Sequence, residues 1–471
     1  MVQIPRPRHL RWVIGLVGIL LVESIARPRL DVVQPAIATL PVLHRIAVGQ
    51  FYPGIAPAIA VDELATRAYV GINGMRPGAG YVGFLDSRSG ILAHMAALPF
   101  AVDHIAVAAH PVRVVAATQG GTRVSVLDGR TGALVRTVPA PPSVEVTALA
   151  IGDAQGRAYA VGNSPCQASA QKCMTAVQEI DLRTGMRMRT IVLYDPQPIV
   201  WSAAVVDNQA RTLILVGRDI GDFRSDHAAL DVVALTDGHL IHHSVLPYDV
   251  EGAAQDSQVA LDQTTGRAFV VVAPAPYAAP PTRPGAILTT SSMIILDTRT
   301  GRVEPIVRLG AGSAQVAIDE RDGRVFATTY GPTRLLFVSA QDRRQPARRR
   351  LVTKVTGDGA LYMLDAHDGR VLRIVPMGMA TTALAVDARQ QRAYVASAGA
   401  MTGMGAYAGP GMVQIVDTMT MAVLQRARVD LDPLHLVLDS RARRLFVATV
   451  GPYQADMLGA GYVSVLDTTH Q

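Results

Sequence analysis

The sequence is poor in cysteine, lysine and charge. Two cysteines in 471 residues exclude a small scaffold held together by disulfides. There is no Cys-x-x-Cys-His segment, which excludes covalent c-type haem attachment by motif. Charged residues make up 17% of the chain against 49% hydrophobic ones, a balance with too much apolar surface for a disordered protein. Lys172 and Lys354 are the two lysines among 44 basic residues, so arginine supplies the rest. Such a bias reflects genome composition rather than a binding signal. The formal net charge of +6 is too small for this length to imply nucleic-acid binding. No Walker loop, dinucleotide fingerprint or Ser-His-Asp order stands out, and no cofactor is expected.

Beyond one segment, long apolar runs are also missing. Arg6, Arg8 and Arg11 precede an eleven-residue apolar stretch, Trp12 to Val22, followed by Ser24-Ile25-Ala26. A basic region, a short apolar region and small residues are the parts of an export signal. A spanning helix needs roughly 20 apolar residues, so the stretch is short for a permanent anchor. Residues 1–26 are therefore read as a signal peptide or N-terminal membrane anchor, 27–39 as a linker and 40–471 as the folded domain. An exported chain would be periplasmic, extracellular or anchored on the outer side, with membrane contact through that anchor alone. In that setting Cys166 and Cys173, seven residues apart in a polar stretch, form a loop-closing disulfide; in a reducing compartment they are two thiols.

One pattern recurs eight times. An arginine opens a short apolar block at Arg67, Arg113, Arg157, Arg211, Arg267, Arg324, Arg392 and Arg444, at a mean spacing of about 54 residues. An aspartate closes the next block at Asp86, Asp128, Asp181, Asp297, Asp365, Asp417 and Asp467, with Ala234 in its place in the fourth unit. Glycine follows four residues later in the first six units, and Met421 and Gln471 stand there in the last two. Blocks of four to six apolar or alternating residues bounded by Asp, Gly and Arg are strand punctuation. Asp-x-x-Thr-Gly suits a tight strand connection. With a strand before and after, each unit has four strands, the content of a propeller blade. The expected fold is all-β, a single propeller of eight blades, or seven if an irregular unit is mis-parsed. The last unit ends after its third strand, and Val42 to Gly49 resembles a fourth strand. The N-terminal strand is thus expected to complete the last blade and remove two open sheet edges.

Arg67-Ala68-Tyr69-Val70-Gly71-Ile72-Asn73, Arg157-Ala158-Tyr159-Ala160-Val161-Gly162-Asn163 and Arg392-Ala393-Tyr394-Val395-Ala396-Ser397 resemble the Tyr-Val-Thr-Asn (YVTN) β-propeller repeat. Together with the Leu-Asp-x-x-Thr-Gly element, the resemblance runs from about residue 40 to the C-terminus. It implies a propeller of the YVTN and lactonase-like group, commonly extracytoplasmic. That group includes surface-layer proteins, lactonase-like enzymes and propeller subunits of redox enzymes, so the motif specifies the blade and not the activity.

Strand direction alternates within a blade, which places all second-to-third loops on one face. The long insertions fall there, from Asn73–Gly80 and Asn163–Thr175 to Gly331–Gly359 and Gly451–Gly461. A decorated face on a rigid ring is where binding residues sit. The Gly331–Gly359 insertion carries Arg343, Arg344, Arg348, Arg349 and Arg350, a cationic run suited to an acidic partner, phosphates or anionic headgroups. No aromatic residue interleaves it, so single-strand stacking lacks a platform. Asp219, Asp222 and Asp226 are weak metal candidates, because Arg218 and Arg224 oppose a cation there. Met401, Met404 and Met412 offer soft sulfurs but read as loop fillers. At the axial channel mouth, His104, Glu145, Asp256 and His435 are the acid/base candidates, against a bland reading as polar lining. The first functional expectation is a non-catalytic propeller binding a protein or cell-envelope partner through the decorated face. The alternatives are a lactonase- or lyase-like enzyme at the channel mouth, or a propeller subunit of a redox complex.

Overall fold

The computed structural model describes residues 40–469, except 52–56, 74–78, 119, 142–143, 165–172, 196–198, 220–226, 247–257, 273–286, 289, 305, 313–314, 332, 340–348, 356, 402–406, 431 and 454–458. Eight four-stranded antiparallel sheets follow one another, which decides between eight blades and seven. Blade 1 comprises Ile59–Asp62, Arg67–Asn73, Gly80–Asp86 and Leu92–Leu98. Blades 2 to 7 span residues 104–139, 145–195, 199–245, 258–311, 316–379 and 381–429. Blade 8 takes three strands from residues 432–467 and its fourth, Val42–Phe51, from the N-terminal end. The first strands of neighbouring blades touch one another, so they line the axis and the fourth strands form the rim.

The hydrophobic core lies in the seams between blades. One cluster joins Tyr159, Val177 and Ile191 of blade 3 to Trp201, Leu213 and Ala229 of blade 4. A middle strand has a seam on each side, so both its faces must be apolar. His227–Ala234 is accordingly buried at every position. Rim strands alternate instead, as in Leu92–Leu98, where half-buried and exposed residues take turns before Leu98.

The turns explain the repeated Asp and Gly. Asp128 accepts hydrogen bonds at Oδ1 from the backbone N–H groups of Arg130 (3.0 Å) and Thr131 (2.9 Å) and from Thr131 Oγ1 (3.0 Å). Gly132 follows at φ +75°, a left-handed conformation open to glycine at little cost. Close approach adds a second demand on this glycine. A Cβ on Gly301 of blade 5 would lie 2.1 Å from Cβ of His242 on the rim strand of blade 4. Met421 occupies the same turn position in blade 7 and keeps φ at +61°.

The repeated arginine is a two-way tie. Within its blade, Arg392 Nη1 reaches Asp417 Oδ2 at 2.7 Å, and Arg113 Nη1 reaches Asp128 Oδ2 at 2.8 Å. Across the seam, Arg113 Nε donates to the Leu182 carbonyl of blade 3 (3.0 Å) and Arg324 Nη1 to the Thr418 carbonyl of blade 7 (2.9 Å). Blade 4 corrects one assignment made from spacing. Thr212, not Arg211, pairs with Ala234 and occupies the arginine's register position. Arg211 sits one residue earlier at φ +56°, in the turn position held by Gly156, Gly266 and Gly323 elsewhere. Thr212 keeps the tie across the seam with a shorter arm, its hydroxyl donating to the Thr298 carbonyl of blade 5 at 3.0 Å.

Closure follows the expected route. Val42–Phe51 pairs antiparallel with Gly459–Asp467. Arg45 Nε lies 2.7 Å from Asp430 Oδ2, and its guanidinium lies 3.7 Å from the centre of the Tyr462 ring. Blades 8 and 1 are joined by Arg444 Nε to the Arg88 carbonyl (2.9 Å), by the Ser440 N–H to Glu63 Oε1 (3.2 Å) and by a shared apolar cluster. The seam that joins the two ends of the ring is therefore built like the other seams.

Candidate partner-binding face

Each blade has short connections at one end and its second-to-third connection at the other. The short end carries the Asp-capped turns described above. At the opposite end, the base of the second strand is fastened by a polar side chain. Asn73 accepts the Val102 N–H at Oδ1 (2.7 Å) and donates from Nδ2 to Asp103 Oδ1 (3.2 Å). Asn163, buried, donates from Nδ2 to the Ile199 carbonyl (2.7 Å) and accepts the Trp201 N–H (3.3 Å). Trp201 Nε1 completes the knot on Thr175 Oγ1 at 2.7 Å. These asparagines end the Tyr-containing strand motif. Their work is structural: each clamps the connection into the next blade and fixes the platform from which the insertions depart.

The second-to-third connections vary in length, and those of blades 5, 6 and 7 form strands of their own beyond the blades. In blade 7, Ala400–Met401 pairs with Tyr407–Ala408. In blade 6, Thr333–Ser339 pairs with Arg349–Val355, and Ile287–Leu288 from blade 5 joins the same sheet along Thr333–Arg334. Insertions of two neighbouring blades thus merge into one three-stranded sheet. Arg349 and Arg350 open its last strand, opposite Ser339 and Val338. Arg343, Arg344 and Arg348 lie outside the described residues, as do Cys166, Asp222, Asp226, Asp256 and Met404. Cys173 begins the third strand of blade 3, opposite Asp195. Met412 is not a loop residue; it pairs with Ser397 inside blade 7.

The channel-mouth candidates occupy equivalent places without forming a chemical cluster. His104 pairs with Ala117 and His435 with Ala448, each four residues beyond the second-strand arginine. They belong to blades 2 and 8, with blade 1 between them. Burial holds both imidazoles below their ordinary range, with the Asp103 carboxylate pulling His104 the other way. The enclosed Nε2 of His104 has no hydrogen-bond partner. Glu145 is exposed at the start of blade 3, beside Gly120, whose Cβ would lie 3.5 Å from Glu145 Oε2. Among the described residues no hydrogen bond or ion pair links His104, Glu145 and His435. Among the described residues no group of three or more His, Cys, Asp or Glu side chains could hold a metal ion. Asp219 is buried at the end of its strand, opposite His227. Most other axial positions are small or aliphatic, such as Ala203, Val205, Val259, Leu261, Val316 and Ile318, which pack into the seams.

Sequence reasoning missed one polar pair. His243 Nδ1 lies 2.7 Å from Asp231 Oδ1, with the aspartate fully buried in the third strand of blade 4. Burial raises the Asp231 carboxyl, opposed by the His243 contact. The signal was an aspartate inside an apolar run, His227–Ala234, and it becomes legible once the register sets Asp231 opposite His243.

No protein-family model matches this chain, and no curated protein matches it. Solved structures do. The chain is similar to the Dos1 propeller at 11% identity, covering 90% of this chain and 95% of that one with a TM-score of 0.54. It is similar to the dihydro-haem d1 dehydrogenase NirN at 13% identity, covering 90% and 79%, also at 0.54. The quinohaemoprotein alcohol dehydrogenase ADHIIG of Pseudomonas putida HK5 matches at 12% identity, covering 91% and 77%, at 0.53. No helix among the described residues is long and apolar enough to cross a membrane. At these identities the likeness concerns the fold: the chain is an eight-bladed, all-β propeller.

Proposed function

We propose that this chain is a non-catalytic, extracytoplasmic propeller of the YVTN-like type that binds a protein or another cell-envelope component through its loop face. The observation that carries the reading is the merging of the blade 5 and blade 6 insertions into a separate sheet on that face. Drifting surface loops do not need mutual register, whereas a docking platform does. The clamps at Asn73 and Asn163 hold the bases of the insertions still, which lowers the ordering cost of binding. The basic N-terminal region and its apolar stretch support export, with the leader cleaved or retained.

The test is site-specific photocrosslinking in the native cells. A photoreactive amino acid is placed at exposed Arg123, Glu145 or Pro410 on the loop face, and at exposed Leu64 or Met419 on the short-turn face. The expected result is an adduct of discrete mass from the first group and none from the second. Adducts from the short-turn face alone, or none from either, would overturn the proposal.

A further inference from the structure

The sheet formed by the blade 5 and blade 6 insertions has strand order Ile287–Leu288, Thr333–Ser339, Arg349–Val355. Arg349–Val355 is therefore marginal: among the described residues no strand pairs along its outer side. A seven-residue margin of this kind presents main-chain N–H and C=O groups to an incoming extended chain.

The sequence concentrates charge in the same insertion. Residues 333–355 contain Arg334, Lys354 and the five arginines of the run, against one acid, Asp342. The surplus of six equals the formal +6 of the whole chain, so everything outside this insertion balances to zero. The arginine-for-lysine bias of the protein explains which cation is used. It does not explain why the excess falls within 23 residues of 471. The register also sets Arg334 directly opposite Lys354. Two cationic residues at paired register positions disfavour a hairpin, and an anion nearby relieves the repulsion. A lipid headgroup or free phosphate supplies the anion but leaves the sheet margin unpaired. A carboxylate-bearing polypeptide satisfies both.

We infer that the outer edge of Arg349–Val355 receives an extended, acidic segment of a partner protein as an added strand. This rests on the loop-face reading and names the chemistry of its partner. The carboxylates pair with the cations, and the main chain continues the sheet.

The experiment uses the folded chain and a fluorescein-labelled peptide, Glu-Val-Glu-Thr-Glu-Val-Glu, read by fluorescence anisotropy. Expected results are saturable binding that weakens with salt, and at least a tenfold loss in the R349E/R350E/K354E variant. The same peptide N-methylated at alternate amides should lose at least tenfold as well, because charge alone does not require main-chain hydrogen bonds. A second variant, with residues 333–355 replaced by a Gly-Ser turn, should lose binding while its melting temperature stays within about 2 °C of the parent. Equal binding by the N-methylated peptide, or by the charge-reversed variant, would overturn the inference. So would binding to phosphatidylglycerol vesicles without binding to the peptide. If loop-face crosslinks form regardless of the R349E/R350E/K354E change, the broader reading stands and this inference falls. If neither crosslinks nor peptide binding is seen, both fall.

Discussion

Glycine at the turn between third and fourth strands serves two purposes, and comparison with Gly156, which takes a positive φ in a first-to-second-strand turn with open space around it, separates them. Gly301 has φ +71° and Gly156 has φ +63°, so alanine at either must adopt a left-handed backbone. That cost is about 1–2 kcal/mol at each site. The surroundings differ. Nothing lies within 4 Å of a Cβ on Gly156, whereas a Cβ on Gly301 meets Cβ of His242 at 2.1 Å and its ring carbon at 2.5 Å. Both atoms sit close to the rim-strand backbone, so relief requires blades 4 and 5 to move apart. Overpacking of this kind costs a further ~1–3 kcal/mol. Gly156→Ala should therefore lose about 1–2 kcal/mol and Gly301→Ala about 2–5 kcal/mol. The assay is urea denaturation followed by far-UV circular dichroism, with hydrogen exchange on the rim strand Leu240–Val245. Faster exchange in that strand should accompany Gly301→Ala and not Gly156→Ala. Equal losses in the two variants, or unchanged exchange in the rim strand, would refute the argument that these turns are packed against the preceding blade.

Other consequences can be checked in the same way. Removal of Val42–Phe51 should leave the Gly459–Asp467 edge open and convert the closed ring into aggregating material, seen by size-exclusion chromatography; Arg45→Ala alone, at a half-exposed ion pair, should cost under about 1 kcal/mol. Asn163→Ala should cost about 2–3 kcal/mol in a denaturant titration, because the Ile199 carbonyl and Trp201 N–H lose their buried partner. Two aspartates should respond to acid with opposite sign. Hydrogen bonds from the Thr420 turn and the Arg392 guanidinium outweigh burial and hold Asp417 below its usual range, so its stabilisation is present at neutral pH and lost as pH falls through that lowered value. Burial raises Asp387, so its ionised form opposes folding above the ordinary carboxylate range, and acidification relieves that opposition. Asp417→Asn should therefore destabilise most at pH 7 with the difference fading toward acid. Asp387→Asn should be neutral or stabilising at pH 7, again converging at low pH, as read from urea midpoints between pH 3.5 and 7.

The repeat was legible because each of its marks answers a local demand. Asp caps a turn, glycine takes a positive φ, and an apolar run fills a strand with seams on both sides. The one misplaced mark, Arg211, shows the limit of spacing. Thr212 holds the register there, and sequence order does not reveal which of two adjacent residues enters the strand. The placement of insertions on one face followed from strand alternation alone. The arginine run was visible in the sequence, but not the three-stranded sheet whose last strand begins at Arg349.

What the sequence by itself determined is thus the blade, the number of blades within one, the N-terminal strand that closes the ring, and the face that bears the loops. These depend on residue type and on periodicities of two residues and of one blade. Only the tertiary structure decided what crosses the seams: Arg113 reaching the Leu182 carbonyl, Asn163 clamping Ile199, Gly301 against His242, and Ile287–Leu288 joining a hairpin from the next blade. Each joins residues tens of positions apart whose pairing is set by the angle and distance between rigid sheets. That geometry arises when eight sheets close into a ring, and no local pattern in the chain encodes it.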